Sequence, residues 1–350
     1  MIERLSDRLK EYLSNAIGRE VNLRDIRAFL RIEPGSKDDM NLRTQMATTM
    51  IAGKIVKASG RNDGIYKVLI PIRPVEWWVE KPDEQPLNFR FPKSHIDDTG
   101  FDIEDLVEIF AGDLILISGQ SNYGKTCLTL NLLAENISLF SAGNTLMGSE
   151  YTACDDEITP KFKRRMQKMD WVQWIVDGKP RFQLLPIGGD YEDYVVKDNL
   201  NLIDWISLGG EAGEYYLIDR ITKKIKDRVG RGVVVAVLQK NKDAEHGEGG
   251  ERSVRYVDLE LKIDRFSEFE SLLTIGKVKA PKKRGVEGRT WAFGIQDYGA
   301  NLIDIREVVR CVTCWGKGYT GNAENRKRCP SCEGRKYVNK EGKVETKDCQ

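Results

Sequence analysis

Residues 114–133 read LILISGQSNYGKTCLTLNLL. Leu114–Ser118 is an apolar, strand-type run, and the leucine-studded segment from Lys125 to about Leu133 is helix-type. Between them stand Gly119, Gln120, Ser121, Asn122, Tyr123, Gly124, Lys125 and Thr126, which complete G-x-x-x-x-G-K-[ST]. Both flanks match the context this pattern requires. Glycines let backbone N–H groups curl around an anion with no side chain in the way. The helix start adds partial positive charge. The stretch therefore predicts ATP phosphates cradled over Gly119–Cys127, with Lys125 on the β- and γ-phosphates and the Thr126 hydroxyl on Mg²⁺.

A carboxylate must complete such a Mg²⁺ site. Asp204 ends the apolar run of DNLNLIDWI; Asp219, in EYYLIDRI, is the alternative, but its surroundings read as helical. Asp204 is preferred. Hydrolysis also needs a group to activate or orient water. Glu150 ends the strand-like NTLMGSE, and Gln239 ends VVVAVLQ as a neutral side chain suited to sensing a γ-phosphate.

Outward from the loop, residues 101–300 alternate apolar runs with helical ones: LILIS, NTLMGS, RFQLLPI, LNLID, VVVAVL, SLLTIGKV and TWAFGI. That alternation predicts an α/β fold, with helices on the faces of a parallel or mixed sheet.

Phosphate loop, strand-end Glu150, LIDW and AVLQKNK, in that order, resemble the RecA-like ATPases, nearest the DnaB/KaiC branch. The resemblance covers about residues 101–295. It implies an ATP hydrolase with Glu150 as catalytic glutamate, Asp204 as the Mg²⁺-linked aspartate and Gln239 as sensor. It also implies a homo-oligomer, in many members a hexameric ring around DNA. That branch places a basic pair on a late strand, reaching a neighbouring subunit's ATP. Here the pair is Lys277 and Lys279, where the family usually has arginine second; Lys282, Lys283 and Arg284 are substitutes. Lysine lacks the planar fork. The loop after Gln239 corresponds to one facing the ring's channel, and Lys240, Lys242, Arg252 and Arg255 are its candidate nucleic-acid contacts. Asp243, Glu245, Glu248 and Glu251 dilute that charge, so a mobile surface loop is the alternative.

Residues 1–72 form a separate unit. Leu5, Leu9 and Leu13 make one helical stripe, and Asn22 is the N-cap of a second helix with Ile26, Phe29 and Leu30 on one face. A third helix ends near Gly53, and KIVKASGRNDGIYKVLIP reads as strand, tip, strand. Three helices and a hairpin are the order of a winged helix, with Arg43 a candidate DNA contact. A protein-contact domain is the alternative. Residues 73–100, with Pro74, Pro82, Pro86 and Pro92, read as a linker.

Residues 301–350 form a tail with Cys311, Cys314, Cys329 and Cys332: two C-x-x-C pairs with fourteen residues between them. Four thiolates at that spacing predict structural Zn²⁺ with no open coordination position. The pattern C-x-x-C-x-G-x-G resembles the knuckles of DnaJ-type zinc modules. The tail's lysines and arginines, with Trp315 and Tyr319, suit nucleic acid; a protein-binding ribbon competes.

The formal net charge of the 350-residue chain is +1, yet residues 276–350 hold 17 Lys/Arg against 9 Asp/Glu. No apolar run approaches the roughly 18–20 residues of a bilayer-spanning helix, so a cytoplasmic protein of a prokaryote or a phage-infected host, with no membrane partner, is expected. Three functions fit: a DNA-associated, ring-forming helicase or motor of replication or recombination; an ATP-switched regulator or loader; a nucleotide-binding scaffold with weak hydrolysis.

Overall fold

The computed structural model describes residues 4–340 except 61–63, 72–77, 80–83, 153–156, 208–216, 242–243 and 323–324. It divides into two compact units, Met1–Glu80 and Lys81–Gln350.

The first unit runs α1 (Leu5–Ser14), β1 (Glu20–Asn22), α2 (Leu23–Leu30), α3 (Lys37–Gln45), β2 (Val56–Ala58) and β3 (Ile65–Val68). Its three strands lie in the order β1-β3-β2, all antiparallel, so the hairpin gains a third strand that three-residue β1 is too short to announce in sequence. The three helices and the hairpin follow one another in the expected order. Asn22 caps α2 by accepting from the Asp25 N–H at 2.8 Å. Leu9, Leu13, Ile26, Leu30, Leu42, Met46 and Met50 fill the core. Phe29, expected beside Ile26, is instead exposed, its ring 4.9 Å from that of Tyr12. Asp39 is buried against Arg27, whose Nε donates at 2.7 Å.

The second unit is built on a ten-stranded sheet in the order β17-β14-β13-β12-β11-β4-β10-β9-β5-β8. The phosphate-loop strand β4 (Leu114–Gly119) feeds α4 (Lys125–Glu135), and β5 (Asn144–Met147) leads to α5 (Pro160–Lys168). A small hairpin, β6 (Ile175–Val176) and β7 (Lys179–Pro180), precedes β8 (Gln183–Leu185) and the short α6 (Tyr191–Tyr194). Then come β9 (Leu200–Ile203), α7 (Ile218–Arg228), β10 (Val233–Gln239) and β11 (Leu259–Arg265). The six strands from β8 to β11 in the sheet are parallel. The remaining four are antiparallel: β12 (Glu270–Val278), β13 (Thr290–Gln296), β14 (Asn301–Arg310) and β17 (Tyr337–Asn339). This is the expected α/β fold: a mixed sheet whose strand β4 runs through the glycine-bearing turn into α4.

The central strands are buried on both faces, which is why they read as unbroken apolar runs. On β4, Ile115 and Ile117 join the core beneath α4, while Leu114 and Leu116 join the core beneath α7. Strand β10 splits likewise: Val233, Val235 and Val237 one way, Val234, Ala236 and Leu238 the other. Each valine, leucine and isoleucine among them contributes roughly 1.5–3 kcal/mol by burial.

Two boundaries differ from expectation. Phe89 and Phe91 sit in the core of the second unit, and Asn136 holds the backbone of Arg90 by both its N–H (2.9 Å) and its carbonyl (2.8 Å). The C-terminal part of the expected linker thus belongs to this body; Pro74, Trp77 and Pro82 lie outside the described residues. At the other end, residues 301–310 are not tail but a ten-residue strand, and β17, from beyond Cys332, pairs with its end at Val308–Arg310.

Candidate functional site

The parallel strands end together, and their ends carry the polar groups. Gln239, last residue of β10, lies in register with Gly119, last residue of β4. Asp204 follows β9 directly, and Glu150 lies in a helical turn, Ser149–Tyr151, just after β5. Open α/β sheets bind ligands at this carboxyl edge. The residues surround a cavity of 600 Å³.

Backbone geometry at the loop depends on its glycines. Gly124 adopts φ +97°, and a Cβ there would lie 2.4 Å from Ile295 Cδ1. A Cβ on Gly119 would strike the Ile263 carbonyl oxygen at 2.8 Å. Inside this turn the Lys125 ammonium donates to the Gln120 carbonyl at 2.7 Å and to Gln239 Oε1 at 3.1 Å. The Gln239 amide nitrogen donates to Ser121 Oγ at 3.0 Å. Ser121 and Asn122 are exposed at the rim, with Asn122 at φ +68°; Tyr123 is half-buried. Cys127, on the first turn of α4, is buried, and burial pushes its thiol up to about 12, which makes it a packing residue.

Charge is confined here at some cost. Burial lowers the pKa of Lys125, opposed by the carboxylates of Asp204, Glu150 and Glu248. Burial raises that of Asp204, with Glu150 adding to the rise; the hydroxyls of Tyr151 and Thr126 and the charge of Lys125 draw it back. Tyr151, itself fully buried, donates to Asp204 Oδ2. Asp219 is elsewhere, on α7, 3.5 Å from Arg255.

The donor set fits a nucleoside triphosphate with Mg²⁺: a lysine held, among the described residues, by a carbonyl and an amide, a threonine hydroxyl beside a buried aspartate, and glycines at which a Cβ would clash. The structure adds groups that sequence reading passed over. Arg165 of α5 and Trp205, at φ +83°, line the cavity. Glu248, counted only as diluting loop charge, faces Lys125 because its N–H donates to the Gln239 carbonyl at 2.8 Å. No short motif marks any of them.

Other candidates are not brought to this cavity. Lys277 donates to the Val254 carbonyl at 2.7 Å, and Lys279 pairs with Asp258 at 2.8 Å, so both are engaged within the chain. Lys282, Lys283 and Arg284 are exposed. Among the channel-loop candidates, Lys240 is a correction: it is 4% exposed and pairs with Asp264, which keeps it from a backbone phosphate. Arg252 and Arg255 are exposed; Lys242 lies outside the described residues. Arg43, on α3, is exposed and 3.5 Å from Asp39.

The four cysteines converge. Their sulfurs all lie within 4.8 Å of one another. Cys311 and Cys329 are 3.8 Å apart and Cys314 and Cys332 3.6 Å, far from bonded sulfur. Tetrahedral zinc at the usual Zn–S length demands sulfurs about 3.8 Å apart. All four residues are buried, and the Gly318 N–H donates to Cys314 Sγ at 3.2 Å. Burial raises the Cys314 thiol, but that N–H and the neighbouring thiols more than reverse it, to about 7. The set fits a closed, structural Zn²⁺ site.

No family model and no curated protein matches the chain. Among solved structures it is similar to a KaiC-like protein from the hyperthermophilic archaeon Pyrococcus horikoshii, with TM-score 0.45 and 14% identity over 63% of this chain and 99% of that one. At those values no residue role is carried across. Among the described residues no helix is long and apolar enough to cross a membrane.

Proposed function

We propose that the chain is an ATP hydrolase of the RecA-like class that works on DNA, as a DnaB-like ring-forming motor of replication or recombination. The observation that carries the reading is the Lys125 ammonium, held between the Gln120 carbonyl and Gln239 at the carboxyl edge of the sheet, with Glu150 and Asp204 around the same cavity. ATP phosphates displace the carbonyl and the amide from Lys125. Gln239 is thereby released to contact the γ-phosphate, so its side chain reports whether that phosphate is present. Glu150, on a turn and free to adjust, accepts a proton from the attacking water. Thr126 and Asp204 would hold Mg²⁺, which when bound neutralises charge on the phosphates. Tyr151 keeps the Asp204 carboxylate oriented.

Glu150→Gln decides the catalytic assignment: ATP binding should persist while turnover falls at least a hundredfold. Undiminished turnover would remove Glu150 from its role. Lys125→Ala should abolish nucleotide binding.

A second reading is supported by the engagement of Lys277 and Lys279 within their own chain, which leaves neither poised for a neighbour's ATP. On that reading the protein is an ATP-switched regulator or loader. A strand-displacement assay separates the two, since a switch binds and hydrolyses without unwinding.

A further inference from the structure

Where the cysteine module meets the antiparallel end of the sheet, two cavities of 490 and 790 Å³ share Phe266, Ser267, Glu333 and Arg335 and so form one groove. Its outer part runs over the module, between residues 317–319 and the strand pair β15 (Tyr319–Thr320) and β16 (Lys327–Arg328). Its inner part follows β13, β14 and β17.

The groove is cationic. Lys317, Lys327 and Arg328 have no acidic partner within ion-pair distance among the described residues. The Arg326 guanidinium lies 3.4 Å over the Tyr319 ring, flat against an aromatic face. Two of the acids along the walls are paired, Glu333 with Arg335 at 3.3 Å and Glu270 with Arg306 at 2.6 Å; Asp304 lines the inner part as well. Two large rings face solvent nearby. Phe269, at the β11–β12 turn on the groove wall, is 82% exposed, and Trp315, two residues before Lys317, is 80% exposed. Bare aromatic rings interleaved with unpaired cations match a polymer of phosphates and planar bases. A duplex keeps its base faces stacked inward and offers nothing to these rings; a single strand does.

The groove also touches the nucleotide site. Ile295, on β13, lines both the inner groove and the ATP cavity, and packs on Gly124 so closely that a Cβ there would overlap it. A strand lying along β13 therefore contacts an element seated on the phosphate loop.

We propose that this groove, made jointly by the zinc module and the β11–β12 and β13–β14 edge, is a single-stranded nucleic-acid site; the inference rests on the polynucleotide-coupled reading given above. It lies apart from the loop after Gln239. The zinc module's contribution is to hold its cations beside the sheet through the β14–β17 pairing.

The test uses the full, zinc-loaded chain and a fluorescein-labelled oligothymidylate, read by anisotropy over a salt series. Lys317→Glu, Arg326→Glu and Arg328→Glu together should weaken binding more than tenfold and flatten the salt slope by about 2, near 0.7 per lost single-strand phosphate contact. Phe269→Ala with Trp315→Ala should weaken it at least tenfold with little change in slope. Zinc content and thermal unfolding equal to wild type show that the variants fold. If wild type binds the oligonucleotide and both variants match it, the groove assignment fails while the coupled-ATPase reading stands. If wild type hydrolyses ATP but ignores every nucleic acid, both fail. Polyglutamate displacing the oligonucleotide at equal charge would make the groove a protein-docking surface instead.

Discussion

Lys125 and Gln239 are joined directly: the ammonium donates to Gln239 Oε1 at 3.1 Å, although one residue opens α4 and the other closes β10. Register makes this possible, because Gln239 is the partner of Gly119 across the β4–β10 pair. A hydrogen bond to a charged group is worth about 1.5–3 kcal/mol. Gln239→Ala frees Lys125 to meet phosphate but removes the proposed γ-phosphate sensor. We expect KM for ATP to change little and kcat to fall roughly ten- to a hundredfold. Steady-state kinetics check this, and an equal loss in both parameters would contradict it.

Asp204 is buried, and burial raises its pKa above the ordinary value of 3.8. A carboxyl whose folded pKa is raised costs stability once it is charged, at pH above that folded value. The cost fades as pH falls toward 3.8, where both folded and unfolded states are protonated. Asp204→Asn should therefore raise the melting temperature of the nucleotide-free protein at neutral pH, on the order of 2–4 °C. The gain should vanish near pH 4, and Mg²⁺-dependent turnover should be lost. Melting curves at the two pH values decide it.

Asp39 has the opposite sign. The Gly35 N–H and the Arg27 side chain hold its carboxyl down at about 2. Stability from this group is present above the unfolded value of 3.8 and is lost as pH falls through about 2. Asp39→Asn should destabilise the first unit at neutral pH, and the difference from wild type should close by about pH 2. Amide exchange at α1 and α2 followed through an acid titration would show it.

Zinc held by the four cysteines would anchor a strand as well as a module. Cys311 donates its backbone N–H to the Lys336 carbonyl at 2.9 Å, and β17 begins immediately after. Structural zinc can supply on the order of 10 kcal/mol of folding free energy. Cys314→Ser, or chelation, should remove one zinc per chain and release β17 from β14. Amide exchange at Val308–Arg310 should then rise at least tenfold while β4 and β10 stay protected. Full protection without metal would show that the module folds on its own side chains.

How much of this was legible in the sequence differs by element. The loop at Gly119–Thr126 could be read because its residue types are set by backbone geometry and by phosphate, both local demands. The four clustered cysteines could be read for the same reason, since two knuckles need only short-range spacing. Placing Glu150, Asp204 and Gln239 together required knowing that their strands end at one edge, and apolar runs ending in polar residues signal this only weakly. Lys240 was misread as solvent-facing because its pairing with Asp264 of β11 joins segments that are distant in sequence. Arg165 and Trp205, which line the cavity, and Glu248, which faces Lys125, were missed because each comes from a loop or helix whose path nothing local dictates.

What the sequence determined by itself was therefore chemistry dictated within a few residues: an anion-binding turn, a four-thiolate cage, and alternating strands and helices. What the tertiary structure alone decided was which distant residues meet. The order β11-β4-β10-β9-β5 brings the strand ends to one edge, and β17 returns to β14 to seat the cysteine module beside β13. The reason is physical: local conformation follows from steric and hydrogen-bonding preferences of neighbours, whereas sheet order follows from burying two apolar faces at once, a condition that no single segment expresses.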